Sequence, residues 1–209
     1  MVDTIPDRMP RREHFGQERL TTVDLLDSNY RKVKAGEKPI LTSQERQVLG
    51  YGLPSWQRPY VWSDEQNSRF IQSMWAGRPL GTWMVNVVDA DAPHPLEGLI
   101  LDGQQRLRAI ERYFNDEVAV PDVNGVSTRW SDLNAKEQRR FKSIIFPHVE
   151  VRLTDELALQ KIYDAHNFGG VAHQVHERAV GQPLDTPPMP DPEAPTAEVK
   201  TRSRRNSLR

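Results

Sequence analysis

One stretch constrains this chain more than any other: Leu99-Ile100-Leu101-Asp102-Gly103-Gln104-Gln105-Arg106-Leu107-Arg108-Ala109-Ile110-Glu111-Arg112-Tyr113-Phe114. It passes from an apolar strand through an abrupt polar turn into an amphipathic helix, with no spacer between them. Three apolar residues suit a covered strand. Gly103 lets the backbone turn sharply or approach a ligand, and Leu107, Ile110 and Phe114 recur at helical spacing to face a core. The helix is expected to open at about Gln104, where the first N–H groups lack intrahelical partners and the summed peptide dipoles favour an anion. Arg106 in the first turn offers a fork of donors suited to phosphate oxygens. Asp102 at the strand end can hold a divalent cation or orient a water. Gln104 and Gln105 supply neutral amides that either read a ligand edge or fix the loop. A bare Asp-Gly bend would serve an ordinary strand-to-helix connection equally well. What favours a site is that polar residues able to contact a ligand are packed without a gap between two apolar segments.

With 209 residues the chain can build one sizeable domain plus tails. A formal net charge of -1 gives no global sign of nucleic-acid or membrane affinity, so such contacts would have to come from local patches. The chain has no cysteine, which excludes disulfides, thiolate zinc sites and a thiol nucleophile and suits an intracellular protein. Neither a signal peptide nor a run of apolar residues long enough to span a bilayer is present, so the expected location is the cytoplasm.

Along the chain, residues 1–18 mix prolines and arginines with little apolar content and are expected to form a flexible arm. Residues 19–180 carry the folded domain. Leu20, Val23, Leu25 and Leu26 allow a helix ending at Lys34, and Thr42-Ser43-Gln44-Glu45 has capping-box spacing for a short helix stopping near Gly50. Trp56-Gln57-Arg58-Pro59-Tyr60-Val61-Trp62 is predicted to be extended and stiff, since each proline fixes its own φ and steers its predecessor away from helix. Its aromatics can stack a base or cover a core edge, while Arg58 stands out as a ligand contact. Ser63-Asp64-Glu65-Gln66 opens another helix, with Phe70, Ile71, Met74 and Trp75 as its buried stripe and Gly77 at its end. Residues 81–88 read as a strand that can form a hairpin with the central one. Ser131 is expected to cap a helix carrying Leu133, Phe141, Ile144 and Ile145, and residues 146–153 alternate like a strand. Thr154 then caps a helix through Leu157, Ile162 and Tyr163 that runs into Asn167-Phe168-Gly169-Gly170. Residues 181–209 form a Pro-rich and then basic tail, suited either to nucleic acid or to a plain solvated linker.

Three of these stretches, Trp56–Trp62, Leu99–Ile110 and Tyr163–Gly170, resemble in the same order the motifs of the N-terminal domain of GmrSD-type modification-dependent restriction endonucleases. The DGQQR string in its strand-to-helix setting carries most of the resemblance. It implies a compact α/β (α+β) fold similar to the ParB and sulfiredoxin superfamily, a small mixed sheet with surrounding helices whose glycine–arginine turn binds nucleotide phosphates. It further implies that Asp102, Gly103, Gln104, Gln105 and Arg106 form that turn, that Gln57, Arg58 and Tyr60 line the same pocket, and that Asn167 and Gly170 close it. Asp102, Arg106 and Arg58 would then be catalytic, Asp102 the metal ligand, and an NTP with Mg2+ the cofactors.

The chain also departs from that pattern. Full-length relatives continue into a helical region and an HNH-type nuclease domain, whereas no later His and Asn arrangement able to hold a nuclease metal follows Gly170 here. Sulfiredoxin chemistry is excluded because the thiol that enzyme places in its turn would fall near Gln104. His166, His173 and His176 gather near the end of the folded region, but a metal there would need ligands beyond Glu177. Glu111, flanked by Arg108 and Arg112, reads as part of a solvated charged face rather than as a general base. There is no P-loop lysine motif and no dinucleotide glycine pattern. The expectation is therefore a metal-dependent NTPase acting in DNA metabolism, restriction or phage conflict, with DNA and a separate nuclease subunit as partners. A phosphotransferase acting on a hydroxyl such as a hydroxymethylated base is one alternative, and a non-catalytic DNA-binding adaptor another. Arg106→Ala is expected to abolish nucleotide binding and leave the fold intact.

Overall fold

The structure, a computed structural model, describes residues 16–37, 46–88 and 94–168. Its first strand, β1 (Gln17–Arg19), begins within the last residues of the expected arm. Helix α1 (Val23–Lys34) buries Val23 and Leu26 but leaves Leu20 and Leu25 in solvent, a narrower stripe than the apolar spacing allows. The expected helix ending near Gly50 is corrected. Its proposed cap, residues 42–45, lies outside the described residues, and the segment after it is a tight hairpin of β2 (Gln47–Val48) and β3 (Tyr51–Gly52). Its two-residue turn places Leu49 at φ 50° and Gly50 at φ 82°, the paired positive values of the turn that matches strand twist. Leucine resists that conformation, and tertiary contacts hold it there. The Leu49 N–H donates to Glu111 Oε1 at 2.8 Å, its carbonyl accepts from Asn29 Nδ2 at 2.8 Å, and its side chain is fully buried.

Helix α2 (Asp64–Trp75) opens on the expected Ser63 capping box, in which Ser63 and Gln66 satisfy each other's backbone donors, and Ile71 and Met74 are buried along it. Strands β4 (Trp83–Asn86) and β5 (Ile100–Asp102) then pair antiparallel, as the two apolar runs suggest. Helix α3 (Gln104–Phe114) follows β5 at once, with Leu107, Ile110 and Tyr113 fully buried and Phe114 only partly so. After a small hairpin of β6 (Val120–Pro121) and β7 (Ser127–Thr128), a single 3-10 turn at Trp130–Asp132 leads to α4 (Ala135–Lys142). Its cap is Asn134, not Ser131. Asn134 Oδ1 accepts from the Lys136 and Glu137 amides, and the helix stops before Ile144 and Ile145. Strand β8 (His148–Val151) and helix α5 (Glu156–Phe168) complete the described chain. Asp155 Oδ1 rather than Thr154 accepts from the Ala158 amide in the first turn of α5.

These strands assemble in the order β1-β8-β4-β5, with β8 parallel to β4 and the other pairs antiparallel. Every residue of β4 is buried, so the strand has a core on each face. Trp83 and Val85 join Ile71, Met74, Leu107 and Ile110 on one side, while Met84 joins Leu101, Trp56, Leu159 and Tyr163 on the other. The result is a mixed four-stranded sheet between α1–α4 and α5. No described helix is long and apolar enough to cross a membrane.

Candidate functional site: the strand-to-helix turn

Gly103 is required at this turn for two separate reasons. Its φ of 93° suits glycine, and a Cβ there would stand 2.5 Å from the Cβ of Trp83 on the neighbouring strand. This tight apposition brings the first turn of α3 onto the edge of the sheet. No side chain caps that helix, and its first backbone bond runs from Leu107 N–H to the Gly103 carbonyl at 2.9 Å. The amides of Gln104, Gln105 and Arg106 therefore remain uncapped at the positive end of an eleven-residue helix.

A cleft of about 110 Å³ opens over these amides. The turn residues Asp102 to Arg106 form its floor together with Gln57 and Arg58, and Tyr163 and Asn167 of α5 reach it from across β5. The structure thus brings three separated stretches of chain together at one place. Tyr60 is set apart. It lines a neighbouring cleft, and its hydroxyl donates to Asn67 Oδ1, while burial pushes that hydroxyl's pKa up against the opposing hydrogen bonds. Gly170 lies outside the described residues, as do His173 and His176. Among the described residues no group of three His, Cys, Asp or Glu side chains could hold a metal.

Within the cleft the side chains divide by whether their bonding is already satisfied. Gln105 is committed to the fold: its Oε1 accepts from the Val61 and Trp62 amides at 3.0 and 3.2 Å, and its Nε2 donates to the Pro59 carbonyl at 3.1 Å. Of the two roles open to it, this is loop fixing. Arg106 is partly committed. It donates to Asp102 Oδ2 at 2.6 Å and to the Leu80 carbonyl at 2.9 Å, and its guanidinium lies 5.9 Å from the centre of the Phe146 ring. Arg106→Ala would therefore remove two structural bonds along with the cleft contact, and its effect on binding must be read against its cost in stability. Asn167 Nδ2 donates back to the Tyr163 carbonyl at 2.9 Å.

Three groups have no such commitment. The Arg58 guanidinium makes no hydrogen bond or ion pair among the described residues. Gln57 and Gln104, each only 4% exposed, leave their side-chain oxygens without a partner there. Buried carboxamides are ordinarily satisfied, so two unbonded carboxamide oxygens lining one cleft single it out as the candidate site.

Two residues to which sequence reasoning gave no place in this cleft shape it. Arg46 donates to the carbonyls of Gln57 and Arg58 at 2.8 and 3.0 Å and so holds the loop that presents Arg58. His166 places Nε2 3.6 Å from Asp102 Oδ2. Burial alone would raise the Asp102 pKa, but the bond from His166 and the Arg106 charge outweigh it and hold the carboxyl below its ordinary value. The same bond raises His166 above the usual imidazole value, against the opposing effects of burial and Arg106. No local signal announces Arg46, which acts on the carbonyls of Gln57 and Arg58 beyond an intervening hairpin. His166 was legible only as one member of a histidine group.

Glu111 forms the salt bridge with Arg108 that its flanking arginines suggest, but the solvated setting is corrected: it is 7% exposed and also accepts from the Leu49 amide.

Fold and cleft together define a class: a small α+β domain with a cleft at a strand–glycine–helix turn. The model of the GmrSD restriction endonuclease N-terminal domain matches residues 38–177, about two thirds of the chain, and this protein belongs to that family. The match spans the cleft-lining loop, the turn and α5, and sets the chain among the domains of restriction systems. No curated protein and no solved structure matches it.

Proposed function

We propose that this domain binds a nucleoside triphosphate and hydrolyses it, with its phosphates on the Gly103–Arg106 turn, in the service of DNA restriction or phage conflict. The observation that carries the reading is the set of unused donors in one cleft: the uncapped amides of α3 and the Arg58 guanidinium, which is unpaired among the described residues. Helix-end amides and an arginine fork together suit a phosphate, and little else explains why they are left unused side by side. In this reading Arg58 neutralises charge that develops on the terminal phosphoryl group, and Arg106 orients Asp102.

Asp102 is the carboxylate available to a magnesium ion. One carboxylate suffices where the phosphates bring most of the coordination, and its lowered pKa keeps it ionised and able to ligate. When bound, the ion would neutralise phosphate charge. His166 and Arg106 already oppose a second cation at Oδ2, so the carboxylate's capacity is limited. DNA and a separate nuclease subunit complete the proposal as the partners through which nucleotide turnover would act.

The test is thermal melting with ATP, GTP, CTP and UTP, each with and without magnesium, since a ligand selective for the folded state must raise the melting temperature. The informative variant is Arg58→Ala, whose side chain makes no hydrogen bond or ion pair among the described residues. A nucleotide-dependent rise that Arg58→Ala removes supports the reading, and phosphate release or labelled DNA then separates hydrolysis from phosphotransfer. No rise at millimolar nucleotide, with salt-sensitive DNA binding instead, would replace it with the adaptor reading.

A further inference from the structure

A second cleft, of about 540 Å³, adjoins the first. Leu53, Pro59 and Tyr60 give it an apolar lining, Arg46, Gln47 and Arg108 a polar one, and Gln104 lines both clefts. We propose that this larger cleft receives the nucleoside moiety, base and sugar, of a nucleotide whose phosphates occupy the smaller one, with the Gln104 carboxamide contacting the ligand at the junction. The proposal rests on the phosphate reading above and adds where the rest of the ligand goes.

Three observations argue for it. First, the smaller cleft falls well below the roughly 300–1,000 Å³ usual for small-molecule sites, whereas the larger lies within that range and combines apolar walls with a few polar groups. Second, its arginines are not available as phosphate forks. Arg108 is paired with Glu111 and donates to the Gln47 carbonyl at 2.5 Å, and Arg46 is engaged with the carbonyls of Gln57 and Arg58. A second phosphate site is therefore disfavoured, and a flat, largely uncharged group fits better.

Third, the unsatisfied atom of Gln104 is its oxygen, an acceptor. An ionised phosphate has only acceptors to offer and cannot satisfy it, whereas sugar hydroxyls and base N–H groups are donors. The missing partner at the junction is thus one that only the nucleoside part of a nucleotide carries.

Calorimetric titration of the full chain with inorganic tripolyphosphate and, separately, with ATP, GTP, CTP and UTP tests the assignment. The best nucleotide should bind at least about tenfold more tightly than tripolyphosphate, the difference being the contribution of base and sugar. Gln47→Trp, which fills the larger cleft, should remove most of that advantage while tripolyphosphate affinity stays within about twofold of the original. Tyr60→Ala, which removes a wall instead of adding bulk, should act in the same direction. Melting of each ligand-free variant establishes that it folds. Equal affinity for tripolyphosphate and every nucleotide overturns the proposal. So do parallel losses for both ligand types, or no loss in either folded variant. If wild-type protein binds neither ligand type, the phosphate reading itself has failed and this inference falls with it, an outcome distinct from the others.

Discussion

Asp102 lies between two cationic groups, Arg106 at 2.6 Å and His166 at 3.6 Å, and the charge of the cleft depends on how that trio titrates. Because His166 binds its proton more tightly in the folded state than its ordinary value of 6.5 implies, its contribution to stability is complete below that value. The contribution is then lost as pH rises through the raised folded value. Asp102, held below its ordinary 3.8, behaves oppositely: its contribution is present above 3.8 and lost as pH falls through the depressed value. Between these limits the pair is intact. His166→Asn should therefore lower the melting temperature more near pH about 5.5 than near about 8.5, because the wild-type contribution is lost as pH rises through the raised imidazole value. A difference of equal size at both pH values would mean that His166 acts by packing alone. From the sequence, Asp102, Gly103 and Arg106 stood out because they are contiguous, and local geometry alone makes their turn. His166 and Arg46 could not, since each acts across a tertiary contact.

At the scale of elements, the hairpin of β2 and β3 shows why local signals fall short. Gly50 reads as a helix stop, and nothing near it carries the Asn-Gly or Asp-Gly signature of a tight hairpin. The turn forms because Glu111, more than sixty residues later on α3, accepts the Leu49 amide and so stabilises a leucine at positive φ. The capping boxes at Ser63 and Asn134, by contrast, span only three residues. The first was readable in full, and the second lost out only to a competing serine just upstream. Glu111→Ala should leave a buried amide without its acceptor and Arg108 without its counter-charge, and cost about 3 kcal/mol in urea unfolding. Glu111→Gln keeps an acceptor for the amide and should lose less. If the two variants prove equally stable, the ion pair and not the Leu49 bond is what Glu111 contributes.

Across the whole molecule, the sheet separates two cores, and the cleft is where chain from both sides converges. The turn belongs to β5 and α3, whereas Tyr163 and Asn167 belong to α5, which is anchored on the opposite face by Leu159 and Tyr163. Trp56 meets Tyr163 edge-on at 4.9 Å, so the loop presenting Gln57 and Arg58 is tied to the same helix. A ligand in the cleft would add a bridge between these elements and oppose their local opening, which amide hydrogen exchange reports. Saturating nucleotide with magnesium should accordingly slow exchange in residues 57–62, in the first turn of α3 and in the C-terminal half of α5. The hairpin of β6 and β7 packs on α2 at the other core, away from the cleft lining, so its exchange should not change. Protection spread evenly over all elements would signal general stabilisation without a located site. Protection confined to α3, with α5 unaffected, would mean that Tyr163 and Asn167 border the cleft without closing on its ligand.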